Sequence, residues 1–102
     1  MELKEGVILG GLKLEMRKAL VEAEKLWKTF GQVLTVTSGL DSTHSAGSLH
    51  YYGYALDLRT RYFTTDEAKR VAYELQMKLG DSYNVVLHTT HIHVEYDAIL
   101  RT

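Results

Sequence analysis

The sequence contains no cysteine and no proline, and both absences restrict what the protein can be. Without cysteine there is no disulfide framework and no thiolate metal site, so a metal would need histidine, aspartate or glutamate ligands. Without proline, internal repeats or low-complexity tracts, nothing marks a linker. The 102 residues, 45% of them hydrophobic, suffice for one core and are too few for two ordinary domains. We therefore expect residues 1–102 to form a single domain.

An excess of one charge and long apolar runs are also lacking. The formal net charge of −1 does not fit the electrostatic footprint of a nucleic-acid binder. The stretch from Met1 to Leu14 contains Glu2 and Glu5 and no sustained apolar run, which fits neither a secretory signal nor a membrane span. We expect a monomer that is synthesised in the cytoplasm and does not insert into a membrane. If its substrate lies outside the membrane, another factor must carry the protein there.

Hydrophobic periodicity predicts two helices and four strands after a loosely ordered lead-in over residues 1–10. Apolar residues at steps of three or four predict a first helix from Leu12 that closes near Gly31. Thr64 begins a capping box ahead of the second helix, which ends at Gly80. The strands are predicted at Val33 to Thr37, Tyr54 to Arg59, Tyr83 to His88 and His91 to Tyr96. This order favours an α+β domain with two main helices packed on a mostly antiparallel sheet of about four strands.

Candidate metal ligands occur on the predicted strands. Residues two apart on a strand face the same side, so His91 and His93 point the same way, with Glu95 next in that row. His88 precedes them in the same hairpin. In isolation, such a pair of histidines indicates solvated side chains more often than a metal site. Asp57, between two leucines, likewise indicates an exposed carboxylate when taken alone.

Two motifs change that assessment. A polar stretch from Leu40 to Gly53 is expected to be an irregular loop, of a length that is usually functional, and it leads into the strand predicted at Tyr54 to Arg59. The first motif, Ser48-Leu49-His50-Tyr51-Tyr52-Gly53-Tyr54-Ala55-Leu56-Asp57, matches Ser-x-His-x-x-Gly-x-Ala-x-Asp, and the second, His88-Thr89-Thr90-His91-Ile92-His93, matches His-x-x-His-x-His. Together they closely resemble the zinc D-alanyl-D-alanine carboxypeptidase family, which includes L-alanyl-D-glutamate endopeptidases of phage endolysins. The resemblance extends from about Val33 to Tyr96 and implies a hedgehog-like and DD-peptidase-like α+β fold.

The resemblance implies one zinc ion bound by His50, Asp57 and His93, with a fourth position open for water. A zinc-bound water has its pKa lowered to about 7 and can attack a peptide carbonyl that the ion polarises. A base must accept the proton of that water and later pass one to the leaving amine. His91 is the first candidate for this role and His88 the second.

Further residues are expected to shape the site. The resemblance implies that Ser48 and Gly53 shape the metal loop, and we expect Ser48 also to contact the substrate. Tyr52 and Tyr54, near that loop, either form a wall for the substrate or pack in the sheet. Arg59, on the strand that carries Asp57, is a further candidate for substrate binding.

Two positions depart from the family pattern. Relatives commonly have an arginine where this sequence has Asp41. Either Arg59 or Arg61 then replaces it, or zinc and histidine stabilise the oxyanion alone. Many endolysin relatives have an acidic residue three positions before the last ligand, where this sequence has Thr90. Because a threonine cannot act as the base, a histidine mechanism is favoured, with Glu95 as an outside candidate.

The sequence thus predicts a zinc-dependent hydrolase of peptide bonds in peptidoglycan stem peptides, of carboxypeptidase or endopeptidase type. A phage or prophage endolysin, acting on the wall after its release from the cytoplasm, is the expected setting. A cytoplasmic D-alanyl-D-alanine dipeptidase is the nearest enzymatic alternative. The alternative from another class is a zinc-stabilised binding module without catalysis. Asp41 and Thr90 favour that module, whereas the presence of both His88 and His91 favours the enzyme.

Overall fold

A computed structural model describes residues 1–39 and 54–97 of the chain. Over these residues the elements follow one another in the order β-α-β-β-α-β-β. Their bounds are β1 Glu2–Leu3, α1 Leu14–Thr29, β2 Thr35–Ser38, β3 Ala55–Arg59, α2 Thr65–Leu79, β4 Tyr83–Leu87 and β5 His91–Tyr96. Both predicted helices and all four predicted strands are present, with ends that differ by a few residues, so the α+β class is confirmed.

The strands form one mixed sheet in the order β1-β2-β3-β5-β4. Strand β1 pairs parallel with β2, and the other three pairings are antiparallel. The sheet therefore has five strands rather than about four, and it is mostly antiparallel as expected.

The N-terminal segment is more ordered than the sequence indicated. The backbone N–H of Glu2 donates to the Leu34 carbonyl at 2.7 Å, and that of Lys4 donates to the Val36 carbonyl at 2.9 Å. Gly39 lies so close to this segment that a Cβ there would sit 2.5 Å from the Ile8 carbonyl oxygen. The prediction of a loosely ordered lead-in over residues 1–10 was therefore wrong for its first part, because a strand of two residues carries too little periodic signal to detect.

Helix α1 supplies one apolar stripe to the core. Its buried residues are Met16, Ala19, Ala23, Leu26 and Trp27. Leu12, the predicted first position, is also buried but precedes the helix. Gly31 follows the C-terminal end with a φ of +77°, a conformation that a residue without Cβ adopts without strain.

Helix α2 begins with the predicted capping box. The Thr64 hydroxyl accepts from the Glu67 backbone N–H at 3.1 Å, and the Glu67 carboxylate accepts from the Thr64 N–H at 2.9 Å. Two of the N–H groups that a helix start leaves without partners are thereby satisfied. The buried residues of this helix are Ala68, Val71, Leu75 and Leu79.

The core lies between the two helices and one face of the sheet. Strand residues Leu56, Leu58, Ile92 and Val94 are buried in the same cluster as the apolar stripes of both helices. Trp27 is fully buried there, and its indole N–H donates to the Arg59 carbonyl at 3.1 Å. Within the described ranges, no helix is long and apolar enough to cross a membrane. The opposite sheet face remains for polar side chains.

Candidate metal and catalytic site

Strands β3 and β5 carry the candidate site on the sheet face away from the helices. In their antiparallel register, Asp57 pairs with His93, Arg59 with His91, and Ala55 with Glu95. Side chains alternate along each strand, so burial of the intervening leucine, isoleucine and valine residues in the core turns this polar set to the other face. The predicted row of His91, His93 and Glu95 is therefore confirmed, and Asp57 joins it from the next strand.

Strand β2 is irregular where it meets Asp57. The register shifts between Val36 and Ser38, so that Val36 pairs with Leu58 while Ser38 pairs with Asp57. An advance of two residues along β2 thus corresponds to an advance of one residue along β3, which is the arrangement of a β-bulge. The Thr37 hydroxyl lies 3.4 Å from the Asp57 carbonyl oxygen, within reach to donate a hydrogen bond. Such bulges re-aim side chains, and this one brings the end of β2 to the site.

His93 lies between two carboxylates. Its Nδ1 is 2.9 Å from Asp57 Oδ1, and its Nε2 is 3.0 Å from Glu95 Oε1. In the protonated ring both nitrogens donate, so both contacts are then satisfied hydrogen bonds. The hydrogen bond to Asp57 raises the pKa of His93, the charges of both carboxylates and the Glu95 hydrogen bond add to the rise, and burial opposes it. A cation at this position is therefore stabilised by the surrounding groups.

His91 is positioned by neighbours on both sides. Its Nε2 lies 3.9 Å from Asp57 Oδ1, and its Nδ1 lies 3.3 Å from the Thr90 hydroxyl. The His88 ring stacks on it, with centroids 4.8 Å apart and 25° between the planes. His88 and His91, the two candidates for proton transfer, are thus in contact with each other. Of these two, His91 is the one that lies near Asp57 in the described part of the chain.

A surface cavity of about 320 Å³ opens beside this cluster. Asp57, Arg59 and His91 contribute to its wall, together with Arg61 and Lys4. Both arginines that the sequence offered as substitutes for the residue at position 41 therefore line the same cavity. The lysine was not anticipated, because the strand that delivers it was not predicted.

Tyr54 lies elsewhere. It stacks on Tyr96 with ring centroids 6.2 Å apart, and the Lys13 ammonium sits 5.8 Å from its ring centroid. Lys13 caps α1, so these contacts put Tyr54 toward the helical side of the sheet. Of the two alternatives for this tyrosine, the structure therefore favours packing in the sheet.

Three of the predicted site residues, Ser48, His50 and Tyr52, lie outside the described residues. The same is true of Gly53 and of Asp41. The described part of the site therefore contains two of the three proposed metal ligands, Asp57 and His93, with both proton-transfer candidates and Arg59.

The donor set suits zinc in its chemistry. Asp57 and His93 present a carboxylate oxygen and an imidazole nitrogen to each other, and zinc accepts both kinds of donor. Among the residues of ranges 1–39 and 54–97, no group of three or more histidine, aspartate or glutamate side chains has the arrangement of a metal site. The predicted third ligand, His50, comes from outside those ranges.

One relation in the site was missed at the level of sequence. The sequence places Glu95 in the row of His91 and His93 and makes it an outside candidate for the base, whereas in the structure its carboxylate is a direct hydrogen-bond partner of His93. The signal was present in the sequence, since the two residues are two apart on one strand and share a face.

Comparisons with family models, with curated proteins and with solved structures find no match to this chain.

Proposed function

We propose that this protein is a zinc-dependent hydrolase of peptide bonds in peptidoglycan stem peptides, with a hedgehog-like and DD-peptidase-like fold. It would act as a carboxypeptidase or endopeptidase of the endolysin kind, reaching the wall after release from the cytoplasm. The observation that supports this proposal best is the register of β3 and β5. That register sets Asp57 against His93, with donor atoms 2.9 Å apart, at the edge of an open cavity.

In this proposal Asp57, His93 and His50 hold one zinc ion. When bound, zinc supplies a Lewis acid that polarises the peptide carbonyl and lowers the pKa of water to about 7. Glu95 keeps His93 oriented, because a histidine that ligates a metal through one nitrogen commonly donates its other N–H to a carboxylate. The Asp57–His93–Glu95 row thus holds the ligand pair in place.

His91 moves the proton. Its Nδ1 contacts the Thr90 hydroxyl, so its Nε2, on the side of Asp57, is the nitrogen that faces the reacting groups. A neutral imidazole there accepts a proton from water and returns one to the leaving amine at a pH near neutrality. Arg59, which lines the same cavity, is available to donate to a substrate oxygen.

A non-catalytic binding module is the second candidate. It is favoured by the residue at the usual acidic position, Thr90, whose hydroxyl contacts His91 and cannot accept a proton at neutral pH. All proton transfer would then depend on histidine. A module of this kind would bind wall peptides and leave every bond intact.

The test measures metal content and release of soluble peptides from purified peptidoglycan in parallel. We expect His93→Ala to lose both metal and activity, and His91→Ala to keep the metal but lose at least about a hundredfold in rate, as for removal of a general base. Asp81→Ala is the matched control, since Asp81 is an exposed acid in the turn before β4 and should leave both unchanged. Wild type that binds metal but cleaves no wall preparation would establish the binding module. Wild type that binds no metal would overturn the proposal.

A further inference from the structure

Among the described residues, the sheet ends in β1 on one side and in β4 on the other. An edge strand presents N–H and C=O groups with which a strand of another chain can pair. Proteins limit such pairing by keeping edge strands short, by charged side chains, by proline or by a bulge. Strand β1 has only two residues, one of them Glu2, so this edge is both short and charged.

Strand β4 has none of these protections. Its five residues, Tyr83–Leu87, contain no charged side chain and no proline, and they pair with β5 without a shift in register. Val86 is 44% exposed. Uncharged strand segments of high β-propensity that lie open at an edge favour self-association. Any protection of this edge must therefore come from another part of the molecule.

The hydrogen bonds at the two ends of β4 show which of its backbone groups face outward. The Asp97 N–H donates to the Ser82 carbonyl at 2.9 Å, and the His88 N–H donates to the His91 carbonyl at 2.8 Å. In an antiparallel pair, hydrogen bonding to the partner strand alternates along the chain, so every second residue from Ser82 to His88 bonds to β5. The backbone groups of the residues between them point away from the sheet.

The side chain of Gln76, on α2, occupies this outward side at the start of β4. Its Nε2 donates to the Tyr83 carbonyl at 2.7 Å, and its Oε1 accepts from the Val85 N–H at 3.0 Å. A residue of a parallel neighbouring strand would make the same two bonds, to one carbonyl and to the N–H two residues further along. The Gln76 amide thus takes the place of one residue of an added strand.

We propose that Gln76 keeps the edge of β4 closed to a second copy of this chain. Without the amide, the outward groups from the Tyr83 carbonyl to Leu87 would form one continuous edge. Two identical edges can pair antiparallel about a twofold axis, so that each copy presents the same surface to the other. A second copy fits this edge, because the uncharged strand meets itself without like-charge repulsion. This role is independent of the proposed function.

The test measures self-association of the full chain by sedimentation velocity over a wide range of protein concentration. Gln76→Ala and Gln76→Met both open the edge, and the methionine keeps the length of the side chain, so that at least one folded variant is available. Urea denaturation at low concentration verifies folding.

Gln76→Glu is the matched control at the same position. Its carboxylate cannot donate to the two carbonyls, but it still accepts from the Val85 N–H and adds a charge at the edge. In a further variant, Gln76→Ala is combined with Val86→Glu. This adds a carboxylate to the opened strand at an exposed position whose cross-strand neighbour is His93.

Wild type, Gln76→Glu and the combined variant should remain monomeric. Gln76→Ala and Gln76→Met should associate at least about tenfold more tightly than wild type, since the freed backbone groups gain hydrogen bonds in the dimer. Hydrogen exchange should then show the Val85 and Leu87 amides protected at high concentration and exposed at low concentration.

Folded Gln76→Ala or Gln76→Met that stays monomeric at every concentration would overturn the proposal. Equal association of Gln76→Glu and Gln76→Ala would also overturn it, because lost stability would then explain the effect. Association that persists in the combined variant would place the contact away from β4, with the same consequence.

Discussion

His93 shows how a single residue can be stabilised as a cation by its surroundings. Carboxylates face both of its ring nitrogens, at 2.9 Å and 3.0 Å. When the ring is protonated, each nitrogen donates a hydrogen bond to the carboxylate that faces it. Because a metal ion and a proton compete for the same nitrogen, the residue that binds zinc in the proposed enzyme should also make the metal-free protein sensitive to pH.

The stability of the metal-free protein should fall as the pH rises through the pKa of folded His93. The pKa is raised in the folded state, so the stabilisation is fully present below the unfolded value of about 6.5 and is lost above the folded value. Urea unfolding in the presence of a chelator, at intervals between pH 5 and pH 9, measures this loss. His93→Gln should flatten the dependence. An unchanged pH dependence in that variant would assign the effect to another group.

Glu95 should act on metal affinity rather than on proton transfer. Glu95→Ala removes the partner of the His93 ring, and loss of such a partner typically weakens metal binding about 10–100-fold. Glu95→Gln, which keeps an acceptor oxygen, should weaken it less. Zinc affinity is measured by competition with a chromophoric chelator, and Glu74→Ala, a partly exposed acid on α2, is the control. If Glu95→Ala abolished activity with zinc affinity intact, Glu95 would be the base instead.

At the scale of elements, one side chain joins α2 to the sheet. Gln76 donates from Nε2 to the Gly80 carbonyl at 3.0 Å and to the Tyr83 carbonyl at 2.7 Å. Its Oε1 accepts from the Val85 N–H at 3.0 Å. The amide therefore provides hydrogen-bond partners for backbone groups both at the end of α2 and in the first residues of β4. It holds the turn that leads into the β4–β5 hairpin, which carries the candidate histidines.

Loss of the Gln76 amide should therefore destabilise the whole domain. Gln76→Ala removes three hydrogen bonds and leaves half-buried backbone groups to be hydrated, for an expected loss of about 2 kcal/mol in unfolding free energy. Gln76→Glu should be at least as harmful at pH 7, since a carboxylate cannot donate to the two carbonyls. Urea denaturation measures both, with Met77→Ala at the exposed neighbouring position as the control. Near wild-type stability for Gln76→Glu would show that the two donated bonds contribute little.

At the scale of the whole molecule, the sheet separates an apolar side from a polar one. The two helices cover one face and form the core with it, and the other face carries the charged row and the cavity. Two tyrosines tie distant segments together at the borders of this core. The Tyr83 hydroxyl donates to the Glu15 carbonyl of α1 at 2.9 Å, and the Tyr62 hydroxyl donates to the Val33 carbonyl at 3.0 Å.

These tyrosines should limit stability in alkali. Burial raises the pKa of both phenols, so the unfolded chain loses these protons first and stability falls as the pH rises above about 10. Tyr83→Phe should cost about 1 kcal/mol at neutral pH through the lost hydrogen bond and should reduce the alkaline slope. Urea midpoints between pH 8 and pH 11 measure both effects. Tyr73→Phe, at an exposed tyrosine, controls for loss of one phenol, and an equal slope in both variants would contradict the assignment.

Local signals in the sequence were sufficient for every described element except β1, and for part of the site. The 3.6-residue period predicted both helices, because each must bury one stripe against a single core. The capping box located the start of α2, since its two hydrogen bonds involve residues only three apart. Alternation along β5 predicted that His91, His93 and Glu95 share one face, because strand geometry alone determines it.

Other features depended on which strands pair and in what register. Asp57 meets His93 only because β3 lies beside β5, a pairing that joins residues 36 apart in the sequence at this point. The parallel addition of β1, which brings Lys4 to the cavity, and the packing of Tyr54 on Tyr96 are decided in the same way. Local patterns in the sequence are therefore enough to predict the types of the longer elements and the two faces of each predicted strand. Which faces meet depends on the folded arrangement, because long-range pairing is set by contacts that local periodicity does not encode.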